Sequence, residues 1–378
     1  HAFQAKISLD THQKAAAYTV AKIQVNIWGR TLEYAWLLWL TTGGGVARID
    51  AAWRTYNLNA MTHGVACIVT VLFLGALLEL PSTVWRTFRV EAQFGFNRMS
   101  VGLFVQDWLR QAVVGLVLGV PFLWAVLWLM ASMGASWWLW VWCSWVGFTL
   151  ALMVLYPTWI APLFNRFTPL TDAHLAARVE ALLQRCGFRS KGLFVMDGSK
   201  RSGHGNAYFT GFGQARRIVF FDTLLARLSA AEIEAVLAHE LGHFVHHHVW
   251  KRLIWTFLLS LLALWGLAQL LNSVWFFSAF GLLQSSMSMG LLLFFLLLPL
   301  VSFWLQPISS AVSRQHEFQA DAYAAQQTQA NDLVSALVRL YQDNAATLTP
   351  DPWYSAWYDS HPPAAVRVAA LQRMQAMK

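Results

Sequence analysis

The chain has 378 residues, 57% of them apolar and only 12% charged, with a mean hydropathy of +0.44. That balance excludes an ordinary soluble domain of this length and points to a membrane protein. The formal charge of +8 does not indicate a nucleic-acid partner, because the basic residues lie between long apolar runs rather than in one patch interleaved with stacking aromatics.

A bilayer core is crossed by about 20 mostly apolar residues in a helix. The first apolar run, 31–46, is weak: it carries Glu33 and the glycines Gly43, Gly44 and Gly45, so a short or re-entrant helix is an open alternative to a span. Runs 61–80, 112–133 and 137–160 follow, with Trp85, Trp108, Trp137 and Trp138 near their ends, where an indole suits either the lipid–water boundary or a neighbouring helix. Segment 161–250 is polar and reads as an α/β unit. Thr171 and Asp172 open a helix that ends near Cys186 and Gly187, and 193–196 and 218–221 are short strands. A glycine-rich stretch, 202–213, lies between them around the extended core Asn206-Ala207-Tyr208-Phe209. The capping box Ser229-Ala230-Ala231-Glu232 then starts a helix expected to run through His248. Runs 253–275 and 291–312 complete six spans, and 313–378 is a polar helical tail. The chain thus divides into an N-terminal membrane region (1–160), the α/β unit (161–250), a second membrane pair (251–312) and the C-terminal segment (313–378).

If all six runs span, Lys and Arg of 6–30, 86–110, 166–252 and 314–378 share one side, and only Arg48 and Arg54 fall on the other. The positive-inside rule makes the crowded side cytoplasmic, with both polar segments on it. Cys67, Cys143 and Cys186 are too few and scattered for a disulfide framework and read as small buried hydrophobes. The chain begins at His1 rather than Met, and an N-terminal segment is expected before it; no signal peptide is seen.

The capped helix carries His239-Glu240-Leu241-Gly242-His243. Histidines four apart are offset by about 40° and one turn, so both imidazoles reach one tetrahedral metal, and Glu240 can take a proton from an attacking water. On a continuous helix His247 and His248 turn away. His246 faces correctly but sits about 7 Å too far along the axis, so all three read as solvated residues at a helix end. The third ligand is sought in Ser313-Arg314-Gln315-His316-Glu317-Phe318-Gln319-Ala320-Asp321. There Glu317 and Asp321 are one turn apart: either one binds the metal while the other holds a ligand histidine, or both are a solvated acidic pair. His316 faces about 100° away.

These motifs, together with EAQFGFNRMS (91–100), APLFNRFTPL (161–170), GSKRSGHGNAYFTGFG (198–213), RIVFFDTLL (217–225), SRQHEFQADAYA (313–324) and SHPPAAVR (360–367), resemble the type I CAAX prenyl proteases in residues and in order. These are integral-membrane zinc metalloproteases of the gluzincin group. The resemblance implies a predominantly α-helical polytopic membrane protein, seven spans in the full chain, around an intramembrane chamber, with a cytoplasmic gluzincin-type α/β metalloprotease domain. It implies one Zn²⁺ per chain on His239, His243 and Glu317, with Asp321 as the outer partner of a ligand. Glu240 and His361 are then catalytic, His361 as oxyanion donor, and Asn206-Ala207-Tyr208 is an edge strand that pairs with extended substrate. Arg367 either meets a substrate carboxylate or holds its loop.

No long charged insertion precedes the HELGH helix, and Phe-Val-His-His-His follows it where an aromatic-Lys pattern is commoner. The first departure suggests a compact, bacterial-type member of an inner or plasma membrane. For such a member, turnover of unprenylated membrane proteins stands beside a C-terminally prenylated peptide or protein substrate. A metal or proton transporter is the other function class. It wants ionisable residues at the bilayer midplane, whereas here they flank the apolar runs.

Overall fold

The computed structural model describes residues 7–210, 217–282 and 284–376. Lys6, Lys378 and residues 211–213 of the glycine-rich stretch lie outside the described residues. Helix α1 (Leu9–Leu40) is capped by Ser8 and ends at a turn where Gly44 takes φ +73°, which opens α2 (Gly45–Arg54). Then come α3 (Ala60–Trp85), α4 (Val101–Ser132), α5 (Trp137–Leu155) and the short α6 (Ala161–Phe164). One wide π-type segment at each C-terminal end prolongs α3 and α5.

The α/β unit is built from β1 (Phe167–Pro169), α7 (Ala173–Arg185), β2 (Leu193–Met196), β3 (Ala207–Thr210), β4 (Arg217–Phe221), α8 (Asp222–Leu225) and α9 (Ala230–Val245). The strands order β1-β2-β4-β3; β2 and β4 are parallel, with Leu193 opposite Ile218, and both outer pairs are antiparallel. The chain continues through α10 (His248–Leu270), α11 (Val274–Ser278), α12 (Met287–Gln327), α13 (Ala330–Asp343), α14 (Pro352–Tyr358) and α15 (Ala364–Ala376). Apolar residues at helical spacing on α7 (Leu175, Val179, Leu182) face the sheet and α9. The resulting core extends through Leu333 and Leu337 of α13 to Val368 and Leu371 of α15.

Among the described residues, five helical stretches are long and apolar enough to cross a membrane: Ala60–Glu91, Val101–Ser132, Gly134–Phe164, His248–Leu270 and Met287–Gln327. They match the five strong runs, except that run 253–275 is cut at Leu270, where α10 ends before a turn and α11. The expected sixth is not among them, because its apolar residues occupy only the end of α1, whose remainder carries Lys14, Lys22 and Arg30. Helix α1 nevertheless runs antiparallel beside α3: Tyr18 meets Glu91, Gly29 lies against Ser82, and Trp36 lies against Gly75. It then stops at Leu40, and α2 follows beside the start of α3.

A second correction concerns the HELGH helix. It does not continue through His248: α9 ends at Val245, His247 adopts φ +57°, and His248 starts α10. A left-handed non-glycine residue costs strain and leaves no mark in the sequence, so the histidine run looks continuous.

Candidate metal centre

Helix α9 is fixed at its start. The Ser229 hydroxyl accepts from the Glu232 amide, and the Glu232 carboxylate accepts from the Ser229 amide at 2.8 Å, from Ser335 at 2.6 Å and from Arg339. These contacts tie α9 to α13. Farther along, α9 crosses α12 at Gly242, where a Cβ would lie 2.8 Å from Ala320 Cα and 3.2 Å from Tyr323 Cβ. The glycine inside the motif therefore permits the close approach that carries His239 and His243 to Glu317 and Asp321.

Three donors converge there. His239 Nε2 and His243 Nε2 are 3.3 Å apart, and they stand 3.5 and 3.4 Å from the two carboxylate oxygens of Glu317. Tetrahedral bonds of about 2.0–2.1 Å give donor–donor edges of about 3.3–3.4 Å, so the set fits one small cation. Glu317 is 3% exposed and Asp321 0%, which removes the solvated-pair alternative. Glu317 Oε2 is buried without a well-aligned hydrogen bond, although His361 Nδ1 lies 2.8 Å and Arg367 Nη1 3.2 Å from it. Three donors held this close, with one carboxylate oxygen under-satisfied, match the donor set of a metal.

Outer partners orient the imidazoles. His239 Nδ1 lies 2.9 Å from Asp321 Oδ1, which leaves Nε2 for the cluster. His243 Nδ1 lies 2.9 Å from His248 Nδ1, and His248 Nε2 lies 2.8 Å from Gln319 Oε1. His316 stacks on His248 with centroids 3.9 Å apart. The expectation that His248 points away is thus overturned: the helix break at His247 turns its ring back behind His243. Neither His248 nor Gln319 is flagged by spacing, because their meeting depends on that break.

Arg367 departs from the substrate-binding expectation. It is 6% exposed, and it donates to Asp321 through Nε at 2.8 Å and Nη2 at 2.6 Å. Its guanidinium faces the two carboxylates, so of its two expected roles the geometry favours holding the site together. Glu240 is half-buried beside the cluster, and burial pushes its carboxyl up from the usual range. The Glu317 carboxylate beside it holds the His361 imidazole above its ordinary range; its side chain is 62% exposed and lines a cavity of about 930 Å³. Lys22, Arg86, Tyr341 and Tyr354 share that cavity wall.

Asn206 lies just before β3, and Ala207 and Tyr208 lie on it; among the described residues β3 pairs with β4 alone and so forms an edge of the sheet. Phe209 packs edge-on against Phe244 of α9, which sets the strand beside the motif helix. A seam joins this unit to the membrane helices. Arg201 reaches Asp107 of α4 at 2.7 Å and Asn165 at 2.8 Å, Phe96 stacks on His204 at 4.4 Å, and residue 97 bridges to residue 202. The quoted motifs 91–100, 161–170 and 198–213 meet along it.

Comparison with known proteins agrees with this architecture. Residues 1–166 match the family described as CAAX prenyl protease N-terminal, five membrane helices, and residues 169–375 match peptidase family M48. The chain is 35% identical to a CAAX prenyl protease 1 homolog of Oryza sativa, over 92% of this chain and 81% of that one. It is 31% identical to CAAX prenyl protease 1 of Saccharomyces cerevisiae, over 99% and 88% respectively. The crystal structure of S. mikatae Ste24p superposes with a TM-score of 0.92 at 31% identity, over 98% of this chain and 90% of that one.

Proposed function

The chain belongs to peptidase family M48 and is an integral-membrane metalloendopeptidase of the CAAX prenyl protease type, and from that premise we propose that its metal is zinc, held by His239, His243 and Glu317. The observation that carries this is the set of 3.3–3.5 Å distances among their donor atoms, the edge lengths of a tetrahedral site. Zinc bound there polarises the scissile carbonyl and makes the attacking water more acidic.

The remaining work falls to the protein. Glu240, adjacent to His239 and half-buried, takes the proton from the attacking water and returns it to the leaving amine. His361, between Glu317 and the cavity, donates to the oxygen of the scissile carbonyl as negative charge develops. Asp321 and His248 fix the tautomers of His239 and His243, and Arg367 offsets the buried charge of Asp321 and Glu317. The outer edge of β3 at Ala207 and Tyr208, preceded by Asn206, pairs with an extended substrate backbone. The catalytic face lies in the cytoplasm, on the side rich in Lys and Arg. The substrate class is a peptide or protein with a prenylated C-terminus, as the names of the relatives suggest.

The test compares purified wild type with Glu240→Gln on matched farnesylated and unmodified peptides in lipid. Glu240→Gln is expected to keep its bound metal and lose about 10²–10⁴ in hydrolysis. A variant that still hydrolyses at near wild-type rate refutes the mechanism. Equal kcat/KM on farnesylated and unmodified peptides moves the substrate class to membrane-protein turnover.

A further inference from the structure

At the far end of the membrane helices from the catalytic cluster, three chemically different donors meet. Asp50 comes from α2, and His63 and Cys67, one turn apart, come from the start of α3. The candidate ligand atoms of all three lie within 4.8 Å of one another. His63 Nε2 is 3.4 Å from Asp50 Oδ1 and 3.8 Å from Cys67 Sγ. Tetrahedral bonds of about 2.0–2.3 Å to nitrogen, oxygen and sulfur need edges of about 3.3–3.7 Å, so the His63–Asp50 separation already fits and the His63–Cys67 separation is slightly long.

The surroundings fit a site better than a simple ion pair. Asp50 is 9% exposed, and its Oδ1 is buried without a hydrogen bond, while Oδ2 is already engaged by Arg54 Nε at 2.8 Å. Cys67 is fully buried, and His63 borders a cavity of about 640 Å³ lined also by Asn57, Ser286 and Ser288, which gives water and ions a route in. Helix α2 is held on α3 independently, by Trp53 Nε1 donating to Thr70 at 3.0 Å and by Val46 and Ile49 in the membrane core. The donors are therefore arranged before any ion arrives. Ser288 packs at Gly64, one residue from His63, and 29 residues of α12 separate it from Glu317. At 1.5 Å per residue the two clusters are about 40 Å apart, more than a hydrocarbon core.

We propose that Asp50, His63 and Cys67 form a second metal site, for a divalent transition ion of the zinc class, with a water from the cavity completing its coordination. Thiolate with imidazole favours such an ion over calcium or magnesium. Bound there, it clamps α2 to α3 on the membrane face opposite the catalytic cluster.

Cobalt(II) separates the two sites, since only this one contains sulfur. Titrating the full-length protein in detergent is expected to produce a thiolate-to-cobalt charge-transfer band in the near ultraviolet. The band should persist in Cys143→Ser, Cys186→Ser and His243→Ala and vanish in Cys67→Ser and His63→Ala. Zinc should slow maleimide labelling of Cys67 in wild type, as expected of a thiolate held by metal; this reading stands even if Cys67→Ser does not fold. No band together with no protection overturns the proposal, as does a band that survives Cys67→Ser. Because His243→Ala dismantles the catalytic cluster alone, a failure here is distinct from a failure there.

Discussion

His248 shows what a single residue contributes through geometry. Its ring stands behind His243 and is anchored by Gln319, so on the proposed ligation it would act on the metal through His243. Outer partners of this kind typically affect metal affinity by about 10–100-fold. His248→Ala is expected to weaken zinc binding at the catalytic cluster by that factor, Glu317→Ala far more, and His247→Ala hardly at all; competition with a chelating dye measures all three. At His361 the split lies in kinetics. If its ring stabilises the developing oxyanion, His361→Ala lowers kcat by about 10²–10³ while zinc content and KM stay near wild type. Parallel loss of zinc would instead make its 2.8 Å approach to Glu317 a structural contact. The HExxH pair was readable because four-residue spacing on a helix fixes a shared face. The role of His248 was not, because it depends on the left-handed turn at His247.

At the scale of elements, the catalytic arrangement rests on the α9–α12 crossing. Adding a methyl group at Gly242 places it 2.8 Å from backbone of Ala320, which no side-chain rotation relieves. Overpacking of this kind costs about 1–3 kcal/mol. Gly242→Ala should therefore lower the Tm and, by moving His239 and His243 away from Glu317, reduce zinc occupancy. A variant with wild-type occupancy and Tm would show that the crossing tolerates a wider spacing. Strands β2 and β4 were legible as short apolar runs and α7 as a capped pattern of period 3.6, whereas β1 was not read as a strand. That β3 forms the sheet edge was expected only through the family resemblance, since strand order depends on which strands pair across the fold.

For the whole molecule, the proposed sidedness rests on the uneven distribution of Lys and Arg. In a Cys143→Ser background, Thr347→Cys is expected to react with a membrane-impermeant maleimide from the cytoplasmic side and Ala279→Cys from the other. Reaction of both from one side would mean that α12 does not cross the bilayer. The seam at Arg201, Asp107 and Asn165 couples the catalytic unit to these spans, because a buried Asp107 left unpaired is costly.

The sequence by itself determined the membrane class, five strong apolar runs, the motif helix and its histidine pair, His239 and His243. These are properties of composition and of spacing along one helix, and they need no knowledge of distant contacts. Only the tertiary structure decided that α1 shadows α3, that Gly242 sets the distance between the histidines and Glu317, and that Arg367 lies buried against Asp321. The same holds for the meeting of Asp50 with His63 and Cys67. Each of these joins segments far apart in the chain, and what brings them together is packing and burial, which local pattern does not encode.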